Sequence, residues 1–443
     1  MRFSLFCTIL LFSSALQAQT PSRDFHFSPP DEKLLEDANQ LDKRFEEKGL
    51  LYNDVEAESY LKEIGDRLLA GSRPPERVTY RFRILRDPMV NAFALPNGSI
   101  YVNTGLVAAL ENEAELASVV GHEITHVTDR HPYELNRNIR KKVVTMEVIG
   151  AVGGAAGNVG SLGGLFAASM VAAAEVSQVI IISTVYGYSR DLERDADTSG
   201  YRRLTQANYD GASMKRSLQI LDEKLEFEPA QPFWHTHPKL EERIATATEL
   251  AKGGSPQQPR AATEDDYLEH MAAVIRYNTT LDLDSRRART AIARMERLVK
   301  WRPNDAANRT LLADAYRSLG AKTPLPDEKE FSDSGKDTMR KRAVKLTAEE
   351  EEKALLKTRA GQATLQSNRD TAESLYREAI ALDVKSPAPH RGLGMLYQDE
   401  AKTADASREY QIYLDLASPE ALDRLRIERR IEALKTPAEG AKK

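Results

Sequence analysis

The sequence predicts an α+β domain, made of one helix bearing candidate metal ligands and a small sheet, followed by an all-α region of helical repeats. Three observations carry this expectation. Residues 78–103 hold short β-rich runs, VTYRFRIL at 78–85, AFAL at 92–95 and SIYVN at 99–103. The last two flank Pro96-Asn97-Gly98, a turn signal. Next, Leu116, Val119, Val120, Ile124 and Val127 recur at three- and four-residue steps, the spacing of one helix face. Finally, the chain beyond residue 262 is charged and helical, and LVKWRPNDAANRTLLADAY at 298–316 aligns with IALDVKSPAPHRGLGMLY at 380–397.

Taken in order, residues 1–18 read as a secretory signal peptide: Arg2, then an apolar run to Leu16, with small residues at Ala15 and Ala18 for cleavage. Export implies a periplasmic protein, with membrane association left open. Cys7 is the only cysteine, so a processed chain has no disulfide and no thiolate ligand, and any metal site must use histidine and carboxylate. The length of 443 residues suggests two or three domains, and the net charge of −5 gives no sign of nucleic-acid binding. Residues 19–30 read as a tether. The stretch 31–70 reads as helical, with Asp31 as a capping candidate, a break at Gly49 and an end at Pro74 and Pro75. The strands at 78–103 then form a small sheet beside the metal helix. Asn91 to Leu95 is a candidate edge onto which a peptide substrate adds as a strand; the alternative is an ordinary core hairpin.

The next stretch, His122-Glu123-Ile124-Thr125-His126, is an H-E-x-x-H sequence. On a helix, His122 and His126 lie one turn apart on one face and present two imidazoles to one point. That suits Zn²⁺, which takes nitrogen ligands at about 2.0–2.1 Å. Glu123, turned by about 100° on the helix, sits beside the metal, where it can take a proton from water. A third ligand is needed. In DLERDAD at 191–197, Glu193 and Asp197 repeat the same spacing, and Leu192, Ala196 and Gly200 suit packing on the first helix. Glu193 is the candidate third ligand, with Asp191 or Asp197 as alternatives. Asp197 can instead accept the free N–H of a ligating histidine and fix its tautomer.

Together, HEITHVTDRH at 122–131 and LERDADTSGY at 192–201 resemble the M48 family of zinc metallopeptidases. NAFALPNGSIYVNTGLV at 91–107 is similar to that family's strand segment before the metal helix, and HTHPKLEERI at 235–244 to its later His-Pro motif. The likeness extends to exported, BepA-like members ending in tetratricopeptide repeats. The resemblance implies a zincin-like fold over residues 19–252, one Zn²⁺ per chain and hydrolysis of peptide bonds in misfolded or misassembled envelope proteins. It also implies that a histidine of the His-Pro motif, His237 with His235 as runner-up, lies over the active site. There it either stabilises the oxyanion or plugs the fourth metal position. A different class stays open: a periplasmic chaperone or assembly scaffold with mostly latent protease activity.

Residues 148–174 carry no charge and are dense in Gly and Ala. They are long enough to span a membrane but weakly apolar, so 148–182 reads as buried or mobile helices near the site, with peripheral membrane contact as the alternative. Residues 240–251 read as a closing helix. Gly253-Gly254-Ser255-Pro256 opens a linker over 253–262. In the region 263–443, Pro303 matches Val384 and Tyr316 matches Tyr397, a tetratricopeptide-like pattern interrupted by a charged insertion at 322–353. Stacked helix pairs give a groove that recruits substrate or, in the envelope, outer-membrane assembly machinery.

Overall fold

The computed structural model describes residues 25–138, 188–227, 240–254, 256, 258–285, 287–320 and 359–435. The expected leader, residues 148–182, His235, His237 and the insertion at 322–353 lie outside them.

The chain enters through α1 (Pro29–Glu47) and α2 (Val55–Leu68). The N-cap of α1 is Ser28; Asp31 stands three residues inside, and its carboxylate accepts from the Ser28 backbone N–H (3.0 Å) and hydroxyl (2.6 Å). Asp31 is thus the reciprocal half of a capping box, where the sequence suggested the cap itself. Strands β1 (Arg81–Leu85), β2 (Ala92–Ala94) and β3 (Ser99–Asn103) form a sheet of order β1-β3-β2, with β1 parallel and β2 antiparallel to β3. β2 lies at an edge. The hairpin between β2 and β3 turns at Gly98, whose φ is +99°. A Cβ there would also stand 2.6 Å from the Thr79 carbonyl oxygen, so the position needs glycine twice over.

After α3 (Thr104–Ala109) comes α4 (Glu113–Thr128), capped by Asn112, whose side chain accepts from Glu115 N–H at 3.0 Å. Nearly every residue of α4 is buried, including its charged ones. Such a helix is central to its domain, and its polar groups must be paired. Glu113 accepts from Tyr209 (2.6 Å), Arg67 (2.8 Å) and Arg260 (3.0 Å). α5 (Arg190–Gln206) packs along α4 at a glycine contact. A Cβ on Gly200 would stand 3.2 Å from the backbone of His122, and one on Gly121 3.4 Å from the Gly200 carbonyl. α6 (Ala212–Phe227) and α7 (Leu240–Lys252) complete this layer, α6 against α4 and α7 against α5 and α6.

The other described elements are helices: α8 (Glu264–Asp284), α9 (Ala288–Trp301), α10 (Ala306–Leu319), α11 (Arg359–Leu382), α12 (Ala388–Asp399), α13 (Thr403–Leu416) and α14 (Arg424–Lys435). Each packs on its neighbours in sequence. Within the expected linker 253–262, the described residues Gly254, Gln258 and Arg260 bond to the first domain, the carbonyls of the first two accepting from Tyr201 and Asn208. The Arg260 N–H donates to the Asn208 carbonyl at 2.7 Å, and its guanidinium reaches Glu113. α8 then lies on α2 and α3, and one hydrophobic core runs from Leu61 and Ile100 through Tyr267, Met271 and Ile275 to Leu298 and Leu312. A second core, around Tyr376, Leu393 and Tyr410, belongs to the later helices. The change from mixed to all-helical architecture therefore crosses a continuous core. Among the described residues, no helix is long and apolar enough to cross a membrane.

Candidate metal centre

The backs of α4 and α5 meet at Gly121 and Gly200, which brings their polar groups within reach of one another. The Nε2 atoms of His122 and His126 are 3.0 Å apart. Glu193 Oε2 is 3.5 Å from His122 Nε2, and Oε1 is 3.6 Å from His126 Nε2. These side chains are at most 3 % exposed. Ligands at about 2.0–2.1 Å in a tetrahedron lie roughly 3.3 Å from one another. The three distances lie close to that figure, those to Glu193 running to its two different oxygens.

Asp197, one turn beyond Glu193, places Oδ1 3.0 Å from His122 Nδ1. This is the outer nitrogen of the ring whose inner nitrogen faces His126 and Glu193. Glu123 is 1 % exposed on the same helix as the two histidines.

Arg243, on α7, completes the cluster and went unassigned in the sequence. Its Nη2 donates to Asp197 Oδ1 (2.8 Å) and its Nε to Oδ2 (3.0 Å), while Nη1 lies 3.4 Å from Glu193 Oε2. A signal for it existed: Leu240, Arg243 and Ala247 are the buried positions of α7, at three- and four-residue steps, so an arginine occupies the apolar stripe. A charge there needs a buried partner.

The electrostatics follow from this packing. Burial, and next the Arg243 cation, push the His122 imidazole down to about 4, so it is neutral at ordinary pH as a ligand must be. Burial would raise the Asp197 carboxyl, but Arg243 and the hydrogen bond to His122 hold it well below the usual carboxylate range. Burial raises the Tyr188 phenol well above its ordinary value, helped by Glu123 and Glu193. Glu123, Glu193 and Asp197 bring three formal negative charges into the interior, and Arg243 returns one positive charge. A divalent cation among these donors would bring the formal sum to zero. With two imidazoles and a carboxylate, and no thiolate, the donor chemistry suits zinc.

Residues 56–251 match the family model for peptidase family M48, so this part of the chain is an M48 peptidase domain. The class defined by that domain is the metallopeptidases. Among its relatives are the putative beta-barrel assembly-enhancing protease of Vibrio cholerae serotype O1, 29 % identical over 242 residues (53 % of this chain, 46 % of that protein), and the beta-barrel assembly-enhancing protease of Escherichia coli K12, 27 % identical over 237 residues (52 % and 46 %). The mitochondrial metalloendopeptidase OMA1 of Schizosaccharomyces pombe is 26 % identical over 212 residues (47 % and 57 %). The chain spans about half the length of the curated relatives it matches.

Proposed function

We propose that this protein is a zinc-dependent metalloendopeptidase of the bacterial cell envelope, acting on misfolded or misassembled envelope proteins. The observation that carries the proposal is the convergence of His122 Nε2, His126 Nε2 and a Glu193 carboxylate oxygen on one buried point inside an M48 domain. Zinc held by these residues supplies Lewis acidity for amide hydrolysis. Glu123 accepts the proton of the attacking water and delivers it to the leaving amine. Asp197 fixes His122 through its Nδ1–H, and Arg243 neutralises Asp197 and braces Glu193. A peptide lies along β2, the edge strand beside α4, with main-chain hydrogen bonds providing affinity. His237, with His235 as the substitute, contributes either an oxyanion donor or a removable plug. The helices beyond residue 262 recruit substrates or outer-membrane assembly machinery. Support for the envelope setting comes from relatives whose names join protease activity to β-barrel assembly.

The test pairs elemental analysis of the purified chain with cleavage of casein and of unfolded outer-envelope proteins, with and without a chelator. Stoichiometric zinc, chelator-sensitive cleavage and inactivity of Glu123→Gln are expected. Zinc without cleavage of any substrate, combined with suppression of aggregation, would favour the scaffold reading.

A further inference from the structure

Asp197 holds the outer nitrogen of His122. The outer nitrogen of His126 meets a different group: its Nδ1 lies 2.9 Å from Nδ1 of His131. His131 is 2 % exposed and follows Arg130, whose φ of +61° folds the chain back beneath the end of α4. The other nitrogen of His131, Nε2, is 3.3 Å from Asp195 Oδ2. Asp195 sits on α5 between Glu193 and Asp197, with its side chain 53 % exposed. Tyr188 covers the His126 ring face to face, centroids 3.9 Å apart and planes at 15°.

We propose that His131 and Asp195 are positioning residues that fix His126 as a metal ligand through a directed chain, His126 to His131 to Asp195. This inference rests on the zinc reading above. Its logic is proton placement. A neutral imidazole carries one N–H. With His126 Nε2 turned to a cation, its proton resides on Nδ1 and is donated to His131. His131 then accepts at Nδ1, so its own proton resides on Nε2 and is donated to the Asp195 carboxylate. Every group in the chain is left with one arrangement, and the His126 ring cannot rotate without losing both its hydrogen bond and its stacking contact. Outer partners of this kind set ligand orientation and basicity. The two histidines of the H-E-x-x-H helix are thus held from two nearby positions on α5, His122 by Asp197 directly and His126 by Asp195 through His131.

A competing use of these side chains exists. Donor atoms of Asp129, His131 and Asp195 lie within 4.8 Å of one another, a set able to hold a second cation. The same proton placement decides against it. While His126 binds metal, His131 Nε2 carries a hydrogen and has no lone pair to offer. The chain therefore takes one zinc, not two.

The experiment measures zinc stoichiometry and affinity of the full chain by competition with a chromogenic chelator, in the wild type, His131→Leu, His131→Asn and Asp195→Ala. Loss of an outer partner typically weakens metal binding by about 10–100-fold, and His131→Leu should fall in that range. His131→Asn places Oδ1 where Nδ1 was, so it should recover most of the affinity. Asp195→Ala should give a smaller loss in the same direction, with the metal-free melting temperature unchanged because that side chain is half exposed. Asp195→Ala keeps the test decisive even if His131→Leu fails to fold. Unchanged affinity in both His131→Leu and Asp195→Ala, or an Asn variant as weak as the Leu variant, would overturn the relay. So would two zinc ions per wild-type chain with the second lost in Asp129→Ala. A wild-type chain that holds no zinc would remove the underlying reading as well, and is distinguishable from each of these.

Discussion

Ending the chain at residue 262 removes every helix beyond α7, and the packing of α8 sets the consequence. Tyr267, Leu268, Met271, Val274 and Ile275 are at most 1 % exposed. The Tyr267 hydroxyl donates to the Val107 carbonyl (2.8 Å), His270 stacks on Tyr60 (4.2 Å), and Thr104 donates to Asn278 (2.8 Å). Farther on, Arg297 donates to the Leu110 and Glu111 carbonyls at 2.8 and 3.0 Å. Truncation leaves the faces of α2 and α3 bare. Returning a large apolar side chain to water costs about 1.5–3 kcal/mol, so uncovering three or four of them costs on the order of 5–10 kcal/mol. Domain stability is itself only about 5–15 kcal/mol. A chain ending at 262 should therefore fail to unfold cooperatively and be digested rapidly by trypsin. A chain ending at 320 keeps α8 to α10 and the core around Leu298 and Leu312, and should remain folded and cleave a generic unfolded substrate. Circular dichroism melts and limited proteolysis of the two read this out. If the 262 chain melts cooperatively near the full-length midpoint, the argument that α8 belongs to the peptidase core is refuted.

Four further outcomes are expected. Glu123→Gln should retain zinc and lose about 10²–10⁴ in cleavage rate, because an amide cannot accept the proton; near wild-type turnover would contradict that role. Glu193→Ala should release zinc and lower the melting temperature, since metal binding is coupled to folding; unchanged zinc affinity would rule Glu193 out as the third ligand, and the sequence alternative Asp191, 91 % exposed, stands outside the cluster. Arg243→Met should cost the metal-free protein about 3–5 kcal/mol by leaving buried carboxylates without their cation, and added zinc should restore much of it, as paired melts with and without zinc would show. Glu113→Gln should cost about 1.5–3 kcal/mol near neutral pH. Burial would raise that carboxyl, but the hydrogen bond from Tyr209 and the charges of Arg67 and Arg260 hold it below its ordinary value. Its stabilising share is therefore present above the ordinary carboxylate range and lost as pH falls through the lowered value, so the deficit should shrink on acidification in urea melts taken from pH 7 to pH 3.

The sequence exposed those parts of the fold and site whose physics is local. The two histidines share a helix face by spacing alone, and so do Glu193 and Asp197. Their burial within 3 % exposure follows from the apolar stripe they interrupt. The strand at 99–103 and the turn at Gly98 were readable because alternation and the Pro-Asn-Gly turn are local signals. Arg243 was not readable in the same way. Its partners stand 46 and 121 residues away, at Asp197 and His122, and only tertiary packing joins them. The segment 253–262 shows the complementary case. Gly-Gly-Ser-Pro composition describes a flexible backbone, yet Arg260 beyond it is fastened to Glu113, on the first turn of the helix that carries His122 and His126. Composition reports what a segment does in isolation, not what it is packed against.

That fastening places Glu113 in a mechanical as well as an electrostatic role. Its carboxylate ties the N-terminus of α4 to α2 through Arg67, to the loop before α6 through Tyr209 and to the entry of α8 through Arg260. A carboxylate in the first helical turn also meets the positive end of the helix dipole. At the other end of α4, His122 and His126 are gripped from α5 and by Tyr188. A two-histidine centre needs its imidazoles fixed to within a few tenths of an ångström, and a helix anchored at only one end could slide along its axis. Here one end is pinned by a buried polar hub and the other by the candidate ligand set. Loosening α8 should therefore weaken zinc binding even though α8 supplies none of the candidate ligands. A substitution such as Met271→Ala, which costs about 2–5 kcal/mol as a core cavity, separates two cases. If zinc affinity falls with stability, the helical region supports the metal site through the shared core. If stability falls while affinity of the folded chain holds, the two regions share packing only.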